Sequence, residues 1–167
     1  METSGRIVRH LTGLGQTVAC AESLTAGLVA AALADVPGAS LVLRGAVVAY
    51  AADLKVALLG VDPGLLERVG TVDPAVAAAM ASGARTRLGA TWGLATTGVA
   101  GPGPAEGKPA GTVDIAVAGP AGIRTERLRL QGSRAHVRAA AVRQLLDLAA
   151  TQMGVPPGAS GTRPGVG

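Results

Sequence analysis

Short apolar segments typical of strands alternate with helical segments along most of this chain. The strand-like segments are residues 17–21, 46–50, 91–97, 111–118 and 122–130. Helical patterns occupy residues 4–15, an Ala-rich segment ending near 35–38, and residues 51–59, 74–88 and 134–152. Such alternation is typical of α/β proteins, in which helices cover both faces of a sheet. We therefore predict a three-layer α/β/α sandwich around a mainly buried sheet.

The composition indicates what kind of core such a sandwich has. Apolar residues make up 49% of the 167 residues, but aromatic residues only 1%, with no Phe. The core must therefore be built from Ala, Val and Leu. The length fits one domain, which we place at residues 1–154. Residues 155–167 are rich in Pro, Gly and Ser, and we predict a disordered tail there.

Cysteine, histidine and hydropathy exclude several classes of protein. A single Cys excludes a disulfide framework and a Cys-based zinc site, and two His residues offer little for a metal centre. We predict no metal and no cofactor. No apolar run approaches the ~18 residues needed to span a bilayer, and the N-terminus lacks a signal-peptide pattern. We expect a soluble cytoplasmic protein without a membrane partner.

The basic character of the chain raises the question of nucleic-acid binding. The net charge is +4, yet the arginines are scattered and lack the aromatic neighbours on which single-stranded bases stack. We interpret most of this charge as solvated surface and do not expect a nucleic-acid partner.

Ser23 is the first candidate for chemistry, because it follows a strand and precedes a helix. Unpaired amides and the helix dipole at such a position can bind an anion or stabilise an oxyanion. Thr25 and Gly27 in the same turn are candidate substrate-binding residues. The alternative is that Ser23 is a helix N-cap, a common role for serine. The segment is not the Gly-x-Ser-x-Gly elbow of α/β-hydrolases.

Lys55 is the second candidate, in a chain with only one other lysine, Lys108. A buried lysine can lose its proton near neutral pH and act as a base, whereas arginine cannot. The alternative is a solvated lysine on the surface of a helix.

A Thr/Gly/Pro loop after the third strand is the third candidate. Thr97, Gly98 and Gly101 place a hydroxyl and backbone amides at the sheet edge where α/β folds bind ligands. The pattern is neither a dinucleotide fingerprint nor a phosphate-binding Walker loop. A plain Gly/Pro turn is the alternative.

Together these segments resemble one family. The motifs, in chain order, are AESLTAGLVAAALADVPGAS, GAVVAY-x-x-x-x-K-x-x-LLGV, TTGVAGP, KPAGTV and GSR-x-x-V-R. In this order and spacing they resemble the CinA C-terminal (competence/damage-inducible protein A) family over roughly residues 5–150. Characterised members of that family deamidate nicotinamide mononucleotide (NMN).

The resemblance implies a stand-alone, metal-free serine amidohydrolase that acts on NMN and assembles as a homo-oligomer. Ser23 matches the nucleophile, Lys55 the lysine proposed as its base, and Tyr50 the tyrosine of the same motif. Three further positions match residues expected to hold substrate, namely Ser40, Thr97 and Arg134. The forked donors of Arg134 suit a phosphate.

Two segments depart from the family pattern. Many members have Tyr-Ser-Asn-Glu-x-Lys where this chain has Ala51 and Ala52 after Tyr50, and Ser-Cys-Thr-Gly-Gly where it has Ala26 before Gly27. The nucleophile and base are retained, but supporting hydrogen bonds are lost. The alternative function is therefore a non-catalytic nucleotide-binding module or a competence/DNA-damage accessory module.

Overall fold

A five-stranded mixed sheet forms the middle layer of the computed structural model, which describes residues 2–158. The strands are β1 (Val18–Glu22), β2 (Leu43–Val48), β3 (Trp92–Gly98), β4 (Thr112–Gly119) and β5 (Gly122–Arg129). Their order in the sheet is β2-β1-β3-β4-β5. β2 and β3 both run parallel to β1, and β4 and β5 continue the sheet in antiparallel fashion. The carboxyl ends of β1, β2 and β3 therefore meet at one edge.

Helices cover both faces of this sheet. They are α1 (Glu2–Leu14), α2 (Leu28–Ala34), α3 (Ala52–Leu59), α4 (Pro63–Val69), α5 (Pro74–Arg87) and α6 (Arg134–Gln152), with a 3-10 helix at Ala39–Leu41. α1, α2 and α6 pack on one face, and α3, α4 and α5 form the layer on the other. β1 and β4 are buried along their whole length, whereas β2 and β5 at the edges are partly exposed. The predicted three-layer α/β/α sandwich is confirmed.

The predicted core of small aliphatic residues is clearest beneath α5. Alanines of the sheet, such as Ala21 and Ala95, pack there against alanines of α5, such as Ala77 and Ala81. Gly93 of β3 lies so close to α5 that an added β-carbon would collide with the carbonyl of Ala81. Small side chains thus let helix and sheet approach closely enough to fill this part of the core without aromatic rings.

Several elements differ from the sequence predictions. α4 was not predicted, although Asp62 caps it by accepting a hydrogen bond from Gly64 N. β2 begins and ends earlier than the predicted 46–50, since it is a half-buried edge strand that includes Arg44 and Gly45. In the predicted tail, Val155 is buried against the core. Residues 159–167 of that tail lie outside the described residues.

Within residues 2–158, no helix combines the length and the apolar character needed to cross a bilayer.

Candidate active site

A cavity of about 330 Å³ opens at the shared carboxyl edge of the parallel strands. After β1 the chain continues into α2 on one face of the sheet, and after the neighbouring β2 it continues into α3 on the other face. Where neighbouring strands of an α/β sheet connect to opposite faces, a crevice that can bind a ligand forms at their carboxyl ends. Five of the predicted site residues line the cavity: Ser23, Tyr50, Gly98, Gly101 and Arg134. Thr71 and Glu106, which the sequence did not indicate, also line it.

Ser23 and Lys55 form a hydrogen-bonded pair at this edge of the sheet. The Nζ of Lys55 donates to Ser23 Oγ at 3.1 Å, and also to the carbonyls of Ala49 at 2.7 Å and Tyr50 at 3.3 Å. Lys55 is only 1% exposed, so the interpretation as a solvated helix lysine is wrong. A neutral amine could keep both carbonyl bonds with its two hydrogens and turn its lone pair to the serine hydroxyl.

Burial shifts the protonation equilibrium of Lys55 toward that neutral form. Burial lowers the pKa of Lys55 from its ordinary value near 10.5, and the negative charge of Glu106 acts in the opposite direction. Among the described residues, Lys55 has no carboxylate within ion-pair distance. The arrangement is therefore chemically able to take a proton from Ser23.

Glu22, directly before Ser23, determines the shape of the turn that carries the serine. Its carboxylate is fully buried and accepts hydrogen bonds from the Thr25 hydroxyl at 2.6 Å and from three amides at the start of α2. Those amides are Gly27 N at 2.9 Å, Val29 N at 3.1 Å and Ala30 N at 2.9 Å. Glu22 thus occupies the helix terminus that the sequence suggested for a ligand anion. The N-cap residue is Gly27, with φ +98°, so the N-cap interpretation of Ser23 is wrong.

Thr25 and Gly27 do not line the cavity. The Thr25 hydroxyl lies between Glu22 and the hydroxyl of Thr96, 2.8 Å away, and Thr25 is fully buried. From the other side, Arg138 of α6 donates to the carbonyl of Leu24 at 2.8 Å and to that of Thr25 at 3.1 Å. These contacts hold the serine turn between β1 and α6.

Glu22 and Arg138 were not predicted as site residues, although both lie within the motifs of the family resemblance. The glutamate of the AES motif and the last arginine of GSR-x-x-V-R were therefore the signals available for them.

Tyr50 and Arg134 meet at the mouth of the cavity. Arg134 Nη2 donates to the Tyr50 hydroxyl at 2.7 Å, and Nη1 donates to the carbonyl of Gly101 at 2.9 Å. Tyr50 contacts Lys55 through the backbone carbonyl of the tyrosine, which accepts a hydrogen bond from Lys55 Nζ. Because a guanidinium has five N–H donors, Arg134 keeps donors for a bound anion while these two bonds persist.

Ser40 and Thr97 are placed away from the cavity. Ser40 lies in the 3-10 helix before β2, at the sheet edge opposite Ser23. Thr97 is 1% exposed, and its hydroxyl donates to the carbonyl of Thr71 at 2.6 Å, so it supports the segment between α4 and α5. Gly98 is needed for close packing, since a β-carbon there would lie 2.7 Å from the carbonyl of Thr112.

Glu106 connects the loop after β3 to the segment between α4 and α5. Its carboxylate accepts from Thr71 N at 2.7 Å, from the Thr71 hydroxyl at 2.6 Å and from Val72 N at 3.3 Å. Partial burial raises the pKa of Glu106, but these hydrogen bonds and the positive charge of Lys108 outweigh that effect, so the pKa lies below its ordinary value. Glu106 is therefore ionised at neutral pH and holds one wall of the cavity.

Within residues 2–158, no cluster of three or more His, Cys, Asp or Glu residues is placed to hold a metal ion. Cys20 lies in the core, where burial and then the charge of Glu22 raise the pKa of its thiol.

Comparison with curated proteins finds close relatives over most of this chain. A CinA-like protein of Frankia casuarinae is 50% identical over 163 residues, which are 98% of this chain and 38% of that protein. A CinA-like protein of Gloeobacter violaceus is 51% identical over 141 residues, which are 83% of this chain and 33% of that protein. The chain thus spans between a third and two fifths of the length of these relatives.

Solved structures agree with the fold. The competence/damage inducible protein CihA of Agrobacterium tumefaciens is 36% identical, with a TM-score of 0.87 over 92% of this chain and 94% of that chain. The competence damage-inducible protein A (ComA) of Klebsiella pneumoniae is 31% identical, with a TM-score of 0.89 over 92% of this chain and 96% of that chain. The family model described as CinA C-terminal domain matches residues 2–153. The resemblance inferred from the motifs is thereby confirmed, and the chain belongs to the CinA C-terminal domain family.

Proposed function

We propose that this domain hydrolyses the carboxamide of NMN to nicotinic acid mononucleotide and ammonia in pyridine nucleotide recycling, through a Ser–Lys mechanism. One observation carries the proposal: the Nζ of buried Lys55 lies 3.1 Å from the Oγ of Ser23, which lines the cavity. The substrate comes from the family resemblance, and the reaction class from this pair.

In the proposed first step, neutral Lys55 takes the proton of Ser23 while Oγ attacks the amide carbon of NMN. The tetrahedral intermediate collapses to an acyl-enzyme, and the leaving nitrogen takes a proton from the Lys55 ammonium to depart as ammonia. Lys55 then removes a proton from water, which attacks the acyl carbon. Collapse of the second intermediate releases the acid and returns the proton to Ser23.

The oxyanion of each intermediate needs a donor close to Ser23. The amide of Ser23 itself donates to the carbonyl of Thr96, and Glu22 occupies three amides of the α2 start. Within the described residues, the amide of Leu24 donates no hydrogen bond, and Leu24 lines the cavity. In α/β-hydrolases the amide of the residue after the nucleophile supplies this donor, and we propose the amide of Leu24 for it here.

The second candidate function is a non-catalytic nucleotide-binding or competence/DNA-damage accessory module. Alanines at positions 51 and 52 favour it, because the family's Ser and Asn side chains are absent there. The buried lysine favours catalysis, since burying an amine beside a serine costs desolvation free energy that a binding module does not need.

Ammonia release from NMN by the purified protein tests the proposal, with binding of single-stranded DNA measured alongside. We expect ammonia release that Ser23→Ala abolishes. NMN binding without ammonia release, or DNA binding without either, would favour the accessory module.

A further inference from the structure

The cavity presents two opposite charges at separate places. Of the described residues that line it, Glu106 and Arg134 are the two that carry a charge. In the described structure they form no ion pair with each other. Thr71 and Val72 hold the carboxylate, whereas Tyr50 and Gly101 hold the guanidinium. A ligand that satisfies both has an anionic group and a cationic group some distance apart.

The carboxylate of Glu106 is anchored and its charge is available to a ligand. Three hydrogen bonds from Thr71 and Val72 orient it, and two of them fall on the same oxygen, Oε2. The other oxygen, Oε1, accepts one hydrogen bond, so it retains acceptor capacity. Its charge also acts on Lys55, so its field extends to the reacting centre.

We propose that Glu106 is a specificity-determining residue that favours substrates whose ring carries a positive charge beside the scissile carboxamide. The inference rests on the proposed function. The NMN ring is a pyridinium cation attached through ribose to a phosphate, so it carries the charge pair that Glu106 and Arg134 complement. The same ligand with a neutral ring keeps the phosphate and the carboxamide and loses only the attraction to Glu106.

Glu106→Gln removes the charge and can retain the loop contacts. The glutamine oxygen can accept from the amides of Thr71 and Val72, and its NH₂ group can donate to the Thr71 hydroxyl. Thr71→Val is the complementary variant, because it weakens the loop contact and keeps the charge. Glu67→Gln is the matched control, since Glu67 is an exposed residue of α4 that does not line the cavity.

The experiment measures dissociation constants calorimetrically in a Ser23→Ala background, for NMN and for its 1,4-dihydro form with an uncharged ring. We expect Glu106→Gln to weaken NMN binding about two- to fivefold, the scale of an exposed ion pair, with no change for the dihydro ligand. Glu67→Gln should change neither constant. Thr71→Val should affect both ligands alike.

Equal weakening of both ligands in Glu106→Gln would overturn the proposal and leave Glu106 as a loop contact alone. Unchanged binding of both ligands would also overturn it. These dissociation constants do not depend on turnover. A protein that binds NMN without releasing ammonia would therefore contradict the proposed function, while the comparison of the two ligands would still test the role of Glu106. A protein that binds neither ligand would contradict both.

Discussion

Replacing Lys55 with arginine separates proton transfer from positive charge. Both side chains can donate to the carbonyls of Ala49 and Tyr50, which the lysine contacts at 2.7 and 3.3 Å. A guanidinium, however, cannot accept a proton at any accessible pH. If Lys55 activates Ser23, the Lys55→Arg variant must lose catalytic activity even when its fold and its positive charge are retained.

The expected loss follows from the role of the pair. General-base catalysis contributes about 10²–10⁴-fold to the reaction rate, so kcat should fall by at least about 10²-fold. The fall should match that of Ser23→Ala, and the double variant should be little worse than either, because the two residues act as one unit. Lys55 is 1% exposed, so the larger guanidinium should also cost about 1–3 kcal/mol of stability through overpacking.

The assay is ammonia release from NMN at several substrate concentrations, with thermal unfolding of each variant to verify that it is folded. Lys108→Arg is the matched control, because Lys108 is half-buried in the loop after β3 and donates to the carbonyl of Val69 at 3.5 Å. That control should retain most of kcat. Lys55→Met provides a second test with a side chain of similar length and no charge.

Near-wild-type kcat in Lys55→Arg, with a change mainly in KM, would refute the proton-transfer role. Lys55 would then attract the phosphate of the substrate, and the binding-module function would become the better interpretation.

Four further predictions follow from the same site. The wild-type kcat should rise with pH to a plateau, with an apparent pKa below 10.5, because Lys55 must lose its proton to act as a base. Removing the Glu106 charge should lower that apparent pKa, because the charge raises the pKa of Lys55. A kcat that does not depend on pH would contradict the role of Lys55 as the base. Arg134→Ala should raise KM for NMN by the equivalent of about 1.5–3 kcal/mol and affect the riboside without phosphate much less, whereas equal losses would indicate that Arg134 only positions Tyr50. Glu22→Ala should lower the free energy of unfolding in urea by about 3–5 kcal/mol, because buried donors lose their acceptor, while Glu67→Ala should change it little. EDTA should leave the rate unchanged; loss of activity that zinc or magnesium restores would contradict the metal-free mechanism.

Local spacing along the chain predicted the layers and most elements. Helical and alternating patterns depend on neighbouring residues, so the α/β architecture and the start of α6 at Arg134 followed from sequence. Asp73 stands directly before the predicted helix at 74–88, where aspartate is a favoured N-cap, and its side chain accepts a hydrogen bond from Ala75 N at 2.8 Å. The low aromatic content of 1% likewise determined a core of aliphatic side chains.

Contacts between distant segments were decided only by the tertiary structure. Sequence marked Ser23 and Lys55 by residue type, but the burial of Lys55 depends on how β1, β2 and α3 pack. Glu106 reaches Thr71 across 35 residues of chain, and no local pattern specifies that pairing. For the same reason Ser40, which precedes β2, lies at the opposite sheet edge from Ser23. Strand direction and order position these side chains, because they set which ends of the strands meet at the cavity.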